Sequence, residues 1–217
     1  MSMNFGREQA VLRQLLTEQG TPERASEQLA SYGDGVKCLG ASQEQIQAAA
    51  DGILEQFPAM GRAQMTAFVR TLWGSKTHEL RGVGAAILIA RVALLEPHDL
   101  AFVEGLLKDG HDDAMQARLA EQVLGAMVTK SKRLWKDLQR LAKGKSVQLQ
   151  RAAVRAARTP CAAASGLFDR FAKFAGPLTS VEDAALQAAI DEVLVAAKAQ
   201  DADAVQAFAD EHGRELG

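Results

Sequence analysis

The sequence predicts an all-α fold, and three observations lead to that prediction. Of the 217 residues, 47% are hydrophobic and 24% are charged, which is typical of a globular chain with a sizeable core. The helix formers Ala, Leu, Gln, Glu, Lys and Arg dominate, and runs of β-branched residues are scarce. Apolar residues recur at three- and four-residue spacing, as in Leu134, Leu138 and Leu141. The length fits one domain covering residues 1–217.

Proline, glycine and capping residues place the helix boundaries in chain order. Thr21 and Pro22 supply a cap and a first-turn proline, and Ser42 with Gln45 has the spacing of a capping box. The sequence predicts further breaks and caps at Pro58–Gly61, at Ser75, at Glu96–Pro97, at Thr159–Pro160, at Gly176–Pro177 and at Ser180 with Asp183. About eleven helices of roughly 10 to 18 residues fit between these signals.

The helices group into pairs of similar length. Pairs of roughly 35 to 45 residues can be drawn at 43–73, 76–109, 112–143 and 146–175, which is near the period of HEAT-type repeats. Stacked amphipathic pairs bury their apolar faces against their neighbours. We therefore expect a single HEAT-like α-solenoid domain, a right-handed stack of antiparallel helix pairs, with a plain helical bundle as the alternative.

Charge is distributed unevenly along the chain. Residues 129–158 hold ten basic residues and one acidic residue, a net charge of +9, so the rest carries −11 of the overall −2. This asymmetry predicts a basic zone on an acidic body, and such a zone attracts polyanions. A solvated helical face is the alternative interpretation.

The compartment is inferred from the cysteines and the N-terminus. Cys38 and Cys161 lie far apart and form no CxxC pair, which fits a reducing cytoplasm. The first residues lack an apolar signal core, and the longest apolar run, 83–95, is interrupted by Arg91. We expect a cytoplasmic protein with no secretion signal and no membrane span.

The sequence predicts no metal site and no cofactor. His78 and Glu79 are adjacent, but Gly82 stands where a zinc-protease helix places its second histidine. Both residues are interpreted as structural, and Trp73 as a core residue. The other histidines are scattered: His98, His111 and His212.

Three stretches differ from generic helix. They are a glycine-rich turn at 32–37 (YGDGVK), a helix end and start at 72–81 (LWGSKTHELR), and a small-residue helix at 149–154 (LQRAAV). In order and separation they resemble motifs of the DNA alkylation repair family, the AlkD-like DNA glycosylases. The segments 189–194 and 201–208 resemble the family's ending, so the resemblance covers nearly the whole chain.

The resemblance implies both a fold and an activity. Family members are stacks of helical repeats whose concave, basic face holds duplex DNA through the phosphates. Active members excise positively charged alkylated purines, such as 3-methyladenine and 7-methylguanine, without extruding the base. A carboxylate and two tryptophans near the lesion stabilise the cationic sugar in these enzymes.

The sequence departs from the family at the catalytic positions. The family's Trp-Asp-x-Val-Asp helix start corresponds to 111–116, where the aspartate position falls on Gln116 or, with a one-residue shift, on Ala117, and neither side chain carries a charge. The family's further tryptophans correspond to Gln148 and Glu192. Base excision would need a substitute carboxylate, for which the candidates are Asp112, Asp113 and Glu192.

The DNA-binding positions are better matched. Arg151 corresponds to the family's phosphate-contacting arginine, and Arg155 and Arg158 follow on the same helical face. A salt bridge to an acidic neighbour is the alternative for Arg151. The other expected DNA contacts are Lys37, Lys130, Lys132, Arg133, Lys136, Lys143 and Lys145.

Three functions follow from the sequence. The first is duplex DNA binding, with or without excision. The second is a non-catalytic HEAT-repeat scaffold that binds an acidic protein partner. The third is binding of structured RNA, since few aromatic residues are available to stack single-stranded bases.

Overall fold

The computed structural model describes residues 3–33 and 35–215, and it is built from α-helices. The helices are α1 (Phe5–Gln19), α2 (Pro22–Tyr32), α3 (Gln43–Gln56), α4 (Arg62–Gly74), α5 (His78–Ala90), α6 (Leu100–Lys108), α7 (Asp113–Arg118), α8 (Gly125–Lys130), α9 (Trp135–Ala142), α10 (Val147–Ala163), α11 (Phe168–Ala175), α12 (Ala184–Ala197) and α13 (Ala202–Glu211). Short 3₁₀ turns lie at Val92–Leu94, Pro97–Asp99, Lys132–Leu134 and Gly176–Ser180, and a π-helical segment at Leu119–Leu124 joins α7 to α8. The predicted all-α fold is confirmed.

The chain divides into two compact units, and the first comprises residues 1–95 and 111–115. Helix α5 is at its centre, in contact with α3 and α4, and every residue from His78 to Leu88 is buried. Gly82 permits this packing, because a Cβ there would lie 2.9 Å from Cγ2 of Ile46. Helix α2, in contrast, has no buried residue. The first unit is thus a core around α5 with α2 at its surface.

The second unit comprises residues 96–110 and 116–217 and is built around α10. Helix α10 packs against α8, α9, α12 and the π-helical segment. At the contact with α8 the backbones approach closely, because a Cβ on Gly125 would lie 3.0 Å from the carbonyl oxygen of Ala156. The expectation of one repeat domain over residues 1–217 stays a prediction.

Several predicted boundaries are confirmed. Pro22 stands in the first turn of α2, and the Thr21 hydroxyl accepts from the Arg24 amide. Ser42 and Gln45 form a reciprocal capping box at the start of α3. These signals depend on neighbouring residues alone, so tertiary packing does not override them.

Other boundary predictions are wrong. Helix α10 continues past Pro160 to Ala163, because the missing bond to the Ala156 carbonyl falls near the helix end and because Ala157, Pro160 and Cys161 are buried. Ser75 ends α4 rather than starting α5, whose N-cap is Thr77. Ser180 lies in a 3₁₀ turn, and Asp183 alone caps α12.

None of the helices in the described ranges combines the length and apolar character needed to cross a membrane.

Candidate nucleic-acid interface and motif cluster

Helix α9 separates an apolar face from a basic one. Trp135, Leu138 and Leu141 are buried. Exposed cations lie at the end of α8, on the turn before α9, on α9 itself and in the loop after it: Lys130, Lys132, Arg133, Lys136, Arg140, Lys143 and Lys145. The three- and four-residue spacing of the buried residues thus places the basic side chains towards solvent.

Most of these cations are not neutralised by a neighbouring carboxylate. Arg140 donates to Glu104 at 2.7 Å and lies 3.6 Å from Asp137, and the Glu104 contact raises the pKa of Arg140. Among residues 3–33 and 35–215, five cations of this segment make no ion pair: Lys132, Arg133, Lys136, Lys143 and Lys145. Their charge is available to a polyanion.

An open cleft of about 470 Å³ lies where α9 ends and α10 begins. Lys108, Arg140, Lys145 and the carboxylate of Glu104 line it, and Ser146 caps α10 at its edge. The positive end of the α10 dipole adds to the lysine charges, so the cleft suits an anion.

Arg151 takes part in a bidentate salt bridge. Its Nε lies 2.8 Å from Oδ1 of Asp183 and its Nη2 lies 2.6 Å from Oδ2. Asp183 also accepts from the Leu186 amide at 2.8 Å as the cap of α12. Hydrogen bonding by Arg151 is the largest cause of the lowered pKa of Asp183. The structure therefore contains the salt bridge that was the alternative for Arg151, and its phosphate contact stays a prediction.

The two arginines that follow on α10, Arg155 and Arg158, differ in their hydrogen-bond partners. Arg158 pairs with Glu121 in the π-helical segment. Arg155 is half-buried between Arg151 and Arg158, and within the described chain its buried Nε has no hydrogen-bond partner.

Two of the sequence motifs meet in the first unit. The Lys37 amide donates to the Lys76 carbonyl at 2.7 Å, and the His78 amide donates to the Lys37 carbonyl at 2.8 Å. The Lys37 side chain is exposed. Glu79 is fully buried, and its Oε1 accepts from the amides of Leu39 and Gly40 at 2.9 and 2.8 Å. The motif residues thus hold residues 37–40 against the start of α5.

The same region contains a side-chain cluster that the sequence reasoning missed. The ring of Tyr32 stacks on His78 with centroids 4.5 Å apart, and Nδ1 of His78 lies 3.2 Å from Nε2 of His111. Nδ1 of His111 lies 2.9 Å from Nη1 of Arg81. Arg81 is buried against the Trp73 ring, 5.3 Å from its centroid. In the sequence His111 is one of several scattered histidines, and no local pattern shows that it meets His78.

The carboxylates of the first unit have different surroundings. Asp112 accepts from the amides of Ala114 and Met115 at 2.9 and 3.3 Å. Burial, followed by the charge of Asp112, raises the pKa of Tyr32 to about 12. Asp113 is exposed. Asp112 is therefore occupied as a helix cap, and Asp113 faces solvent.

The remaining family positions lie in the second unit. Gln116 donates to the Leu106 carbonyl at 3.4 Å, and its side chain covers Gly110. Gln148 and Glu192 are exposed, and Gln148 accepts from the Ser146 hydroxyl. No group of three or more His, Cys, Asp or Glu side chains within the described ranges is arranged to hold a metal ion.

Comparisons with known proteins agree with the resemblance seen in the motifs. Residues 12–217 match the profile of the family described as DNA alkylation repair enzyme. A solved structure, described as a predicted DNA alkylation repair enzyme from Enterococcus faecalis, is similar with a TM-score of 0.72. That similarity covers 89% of this chain and 90% of the other at 14% identity, so it concerns the fold. No curated protein sequence matches significantly.

Proposed function

The chain belongs to the DNA alkylation repair enzyme family, and from this premise we propose that it binds duplex DNA through the backbone phosphates, with residues 129–158 as the contact surface. The observation that carries the proposal is the group of five exposed cations without an ion pair, Lys132, Arg133, Lys136, Lys143 and Lys145. The rest of the chain carries −11 and repels a polyanion. The DNA is therefore expected to lie against this segment.

The proposal includes the arginines of α10 and the side chain of Lys37. Arg151 and Arg158 bind carboxylates in the DNA-free protein, so phosphates would replace Asp183 and Glu121 as their partners. The predicted concave basic face stays a prediction.

We further propose that binding occurs without excision by the family's mechanism. Gln116 supplies no negative charge near a cationic sugar. The chain's two tryptophans, Trp73 and Trp135, are 5% and 3% exposed, so neither presents its ring face to DNA. Of the candidate carboxylates, Asp113 and Glu192 are exposed and Asp112 is occupied as a cap. We expect no release of a methylated base.

The test is a titration of the full chain against labelled duplexes, undamaged and methylated, at about 50 and 200 mM salt. If five phosphates are neutralised, the slope of log affinity against log salt is about −4.5, a loss of about 500-fold over this range. The variant K132E/K136E should reduce this slope by about 2. The control K173E/K198E makes the same charge change at exposed sites of the second unit outside the basic segment, and should retain the slope.

Free-base release is followed in the same samples. Salt-sensitive binding without release is the expected result. Release that Asp113→Ala or Glu192→Gln abolishes would show that a substitute carboxylate acts, which would contradict binding without excision. Absence of DNA binding would overturn the proposal and favour the protein-interaction scaffold.

A further inference from the structure

The hydrogen bonds of His78 and His111 in the first unit determine which of their ring nitrogens carry protons. The guanidinium of Arg81 can only donate, so Nδ1 of His111 accepts from it and carries no proton. The proton of a neutral His111 ring is then on Nε2, which donates to Nδ1 of His78. Both rings are therefore neutral, with their protons on Nε2.

A further proton does not fit this arrangement. On Nδ1 of His111 it would point at the N–H of Arg81, and on Nδ1 of His78 it would point at the N–H of His111. Either protonation replaces a hydrogen bond by a contact between two donors, inside a cluster where His78 is only 5% exposed. The contacts therefore hold only while the rings are neutral.

The groups around the pair have opposing effects on the pKa of His78: some raise it and others lower it. Burial is the largest influence on the pKa of His78 and lowers it from 6.5, and Arg81 acts in the same direction. Glu79 and Asp112, whose Oδ2 lies 4.0 Å from Nδ1 of His78, favour the charged ring, but the net effect is a lowered pKa. Tyr32, which stacks on His78, has a pKa raised to about 12 and is uncharged at neutral pH.

We propose that His78 and His111 form an acid-sensitive latch that docks residues 111–115, and with them the start of α7, on the first unit. Tyr32 and Arg81 position the latch by stacking on one ring and hydrogen bonding to the other. The docked segment leads into α7, whose fourth residue is Gln116. The latch is a property of the protein alone and does not depend on DNA binding.

The direction of the pH effect follows from the lowered pKa. A histidine that binds its proton less readily when docked gives its full stabilisation above the ordinary value of 6.5. Below that pH the docked state is progressively lost. For one linked proton the opening constant rises up to about tenfold for each pH unit.

The test uses the full chain without DNA, labelled with ¹⁵N for NMR spectroscopy. At pH about 7.5, the ring nitrogens of His78 and His111 should both show the Nε2–H form. The Met115 amide, which donates to Asp112, should lose protection from hydrogen exchange by up to about tenfold per pH unit below about 6.5. Exchange of buried amides in α5 serves as the internal reference.

Three variants separate the latch from a general loss of stability. In the double variant His78→Asn/His111→Asn neither side chain can be protonated, so the protection of Met115 should no longer depend on pH between about 7.5 and 5. His111→Leu lacks the acceptor and should lower protection already at neutral pH. His98→Asn changes an exposed histidine paired with Glu96 and should leave the pH profile unchanged.

Two results would overturn the latch. One is a charged or Nδ1–H form of His111 at neutral pH in the unmodified chain. The other is protection of Met115 that does not change between about pH 7.5 and 5, or that falls equally in His78→Asn/His111→Asn. Neither result bears on phosphate binding, which is tested separately by its salt dependence.

Discussion

The salt bridge between Arg151 and Asp183 allows structural and DNA-binding roles to be separated. Asp183→Asn removes the charge but keeps a side-chain oxygen that can accept from the Leu186 amide, so the cap of α12 persists. Arg151→Gln removes the other charge. Together with the double variant these form a double-mutant cycle that isolates the ion pair.

The expected coupling energy follows from the geometry. Two charge-assisted hydrogen bonds at 2.8 and 2.6 Å join side chains that are 23% and 17% exposed. Each such bond contributes about 1.5 to 3 kcal/mol when buried, and partial exposure reduces the sum to about 1–2 kcal/mol. Urea unfolding of the four proteins at pH about 7 measures this energy. A coupling below about 0.3 kcal/mol would refute a stabilising role for the pair.

The pH dependence provides a second check. Because Arg151 lowers the pKa of Asp183, the pair stabilises the fold fully above the ordinary value of 3.8. Its contribution is lost as the pH falls through the lowered pKa, when the carboxylate is protonated. The coupling energy measured in acid should therefore be smaller than at pH about 7, and an unchanged value would contradict the assigned cause.

DNA binding by the same variants tests the predicted phosphate contact of Arg151. If the arginine exchanges its carboxylate for a phosphate, Asp183→Asn should raise duplex affinity and Arg151→Gln should lower it and reduce the salt slope by about 1. If neither variant changes affinity or slope, Arg151 serves only the fold.

Further predictions concern packing, capping and thiol reactivity. Gly125→Ala should destabilise the fold by about 1–3 kcal/mol in urea unfolding, because the new Cβ would lie 3.0 Å from the Ala156 carbonyl oxygen. Gly105→Ala, in α6 with open space around it, should instead stabilise by about 0.5–1 kcal/mol, and an equal loss at both sites would contradict the close-approach argument. Ser42→Ala should cost about 1 kcal/mol by removing the α3 capping box, whereas an unchanged midpoint would show that packing alone holds the helix end. Burial raises the pKa of the Cys161 thiol to about 12, so alkylation of the native protein at pH about 8 should be slow, and rapid labelling would refute its burial.

The elements that could be predicted from the sequence depend on nearby residues. The cap and proline at Thr21 and Pro22 act within one turn, and the spacing of Leu134, Leu138 and Leu141 places the buried face of α9 correctly. Such features follow from helix geometry alone. Thr159 and Pro160 predict a helix end, but the burial of Ala157, Pro160 and Cys161, which is non-local, keeps α10 continuous.

Only part of the candidate site can be predicted from the sequence, because the rest depends on contacts between residues that are distant in the chain. The charge of residues 129–158 is additive along the chain, so its excess of cations is visible in the sequence. Which cations already have a partner is not visible, because Arg151 and Asp183 are 32 residues apart. The cluster of Tyr32, His78 and His111 likewise combines three distant segments.

The sequence by itself determined the helical fold class, the family resemblance, the segregation of charge and the lack of a carboxylate at position 116. These properties follow from residue identity, order and spacing. The tertiary structure decided which groups are engaged: Arg151 with Asp183, Asp112 as a helix cap and His111 between His78 and Arg81. Hydrogen bonds and ion pairs act over a few ångströms in space, and only the folded chain sets those distances.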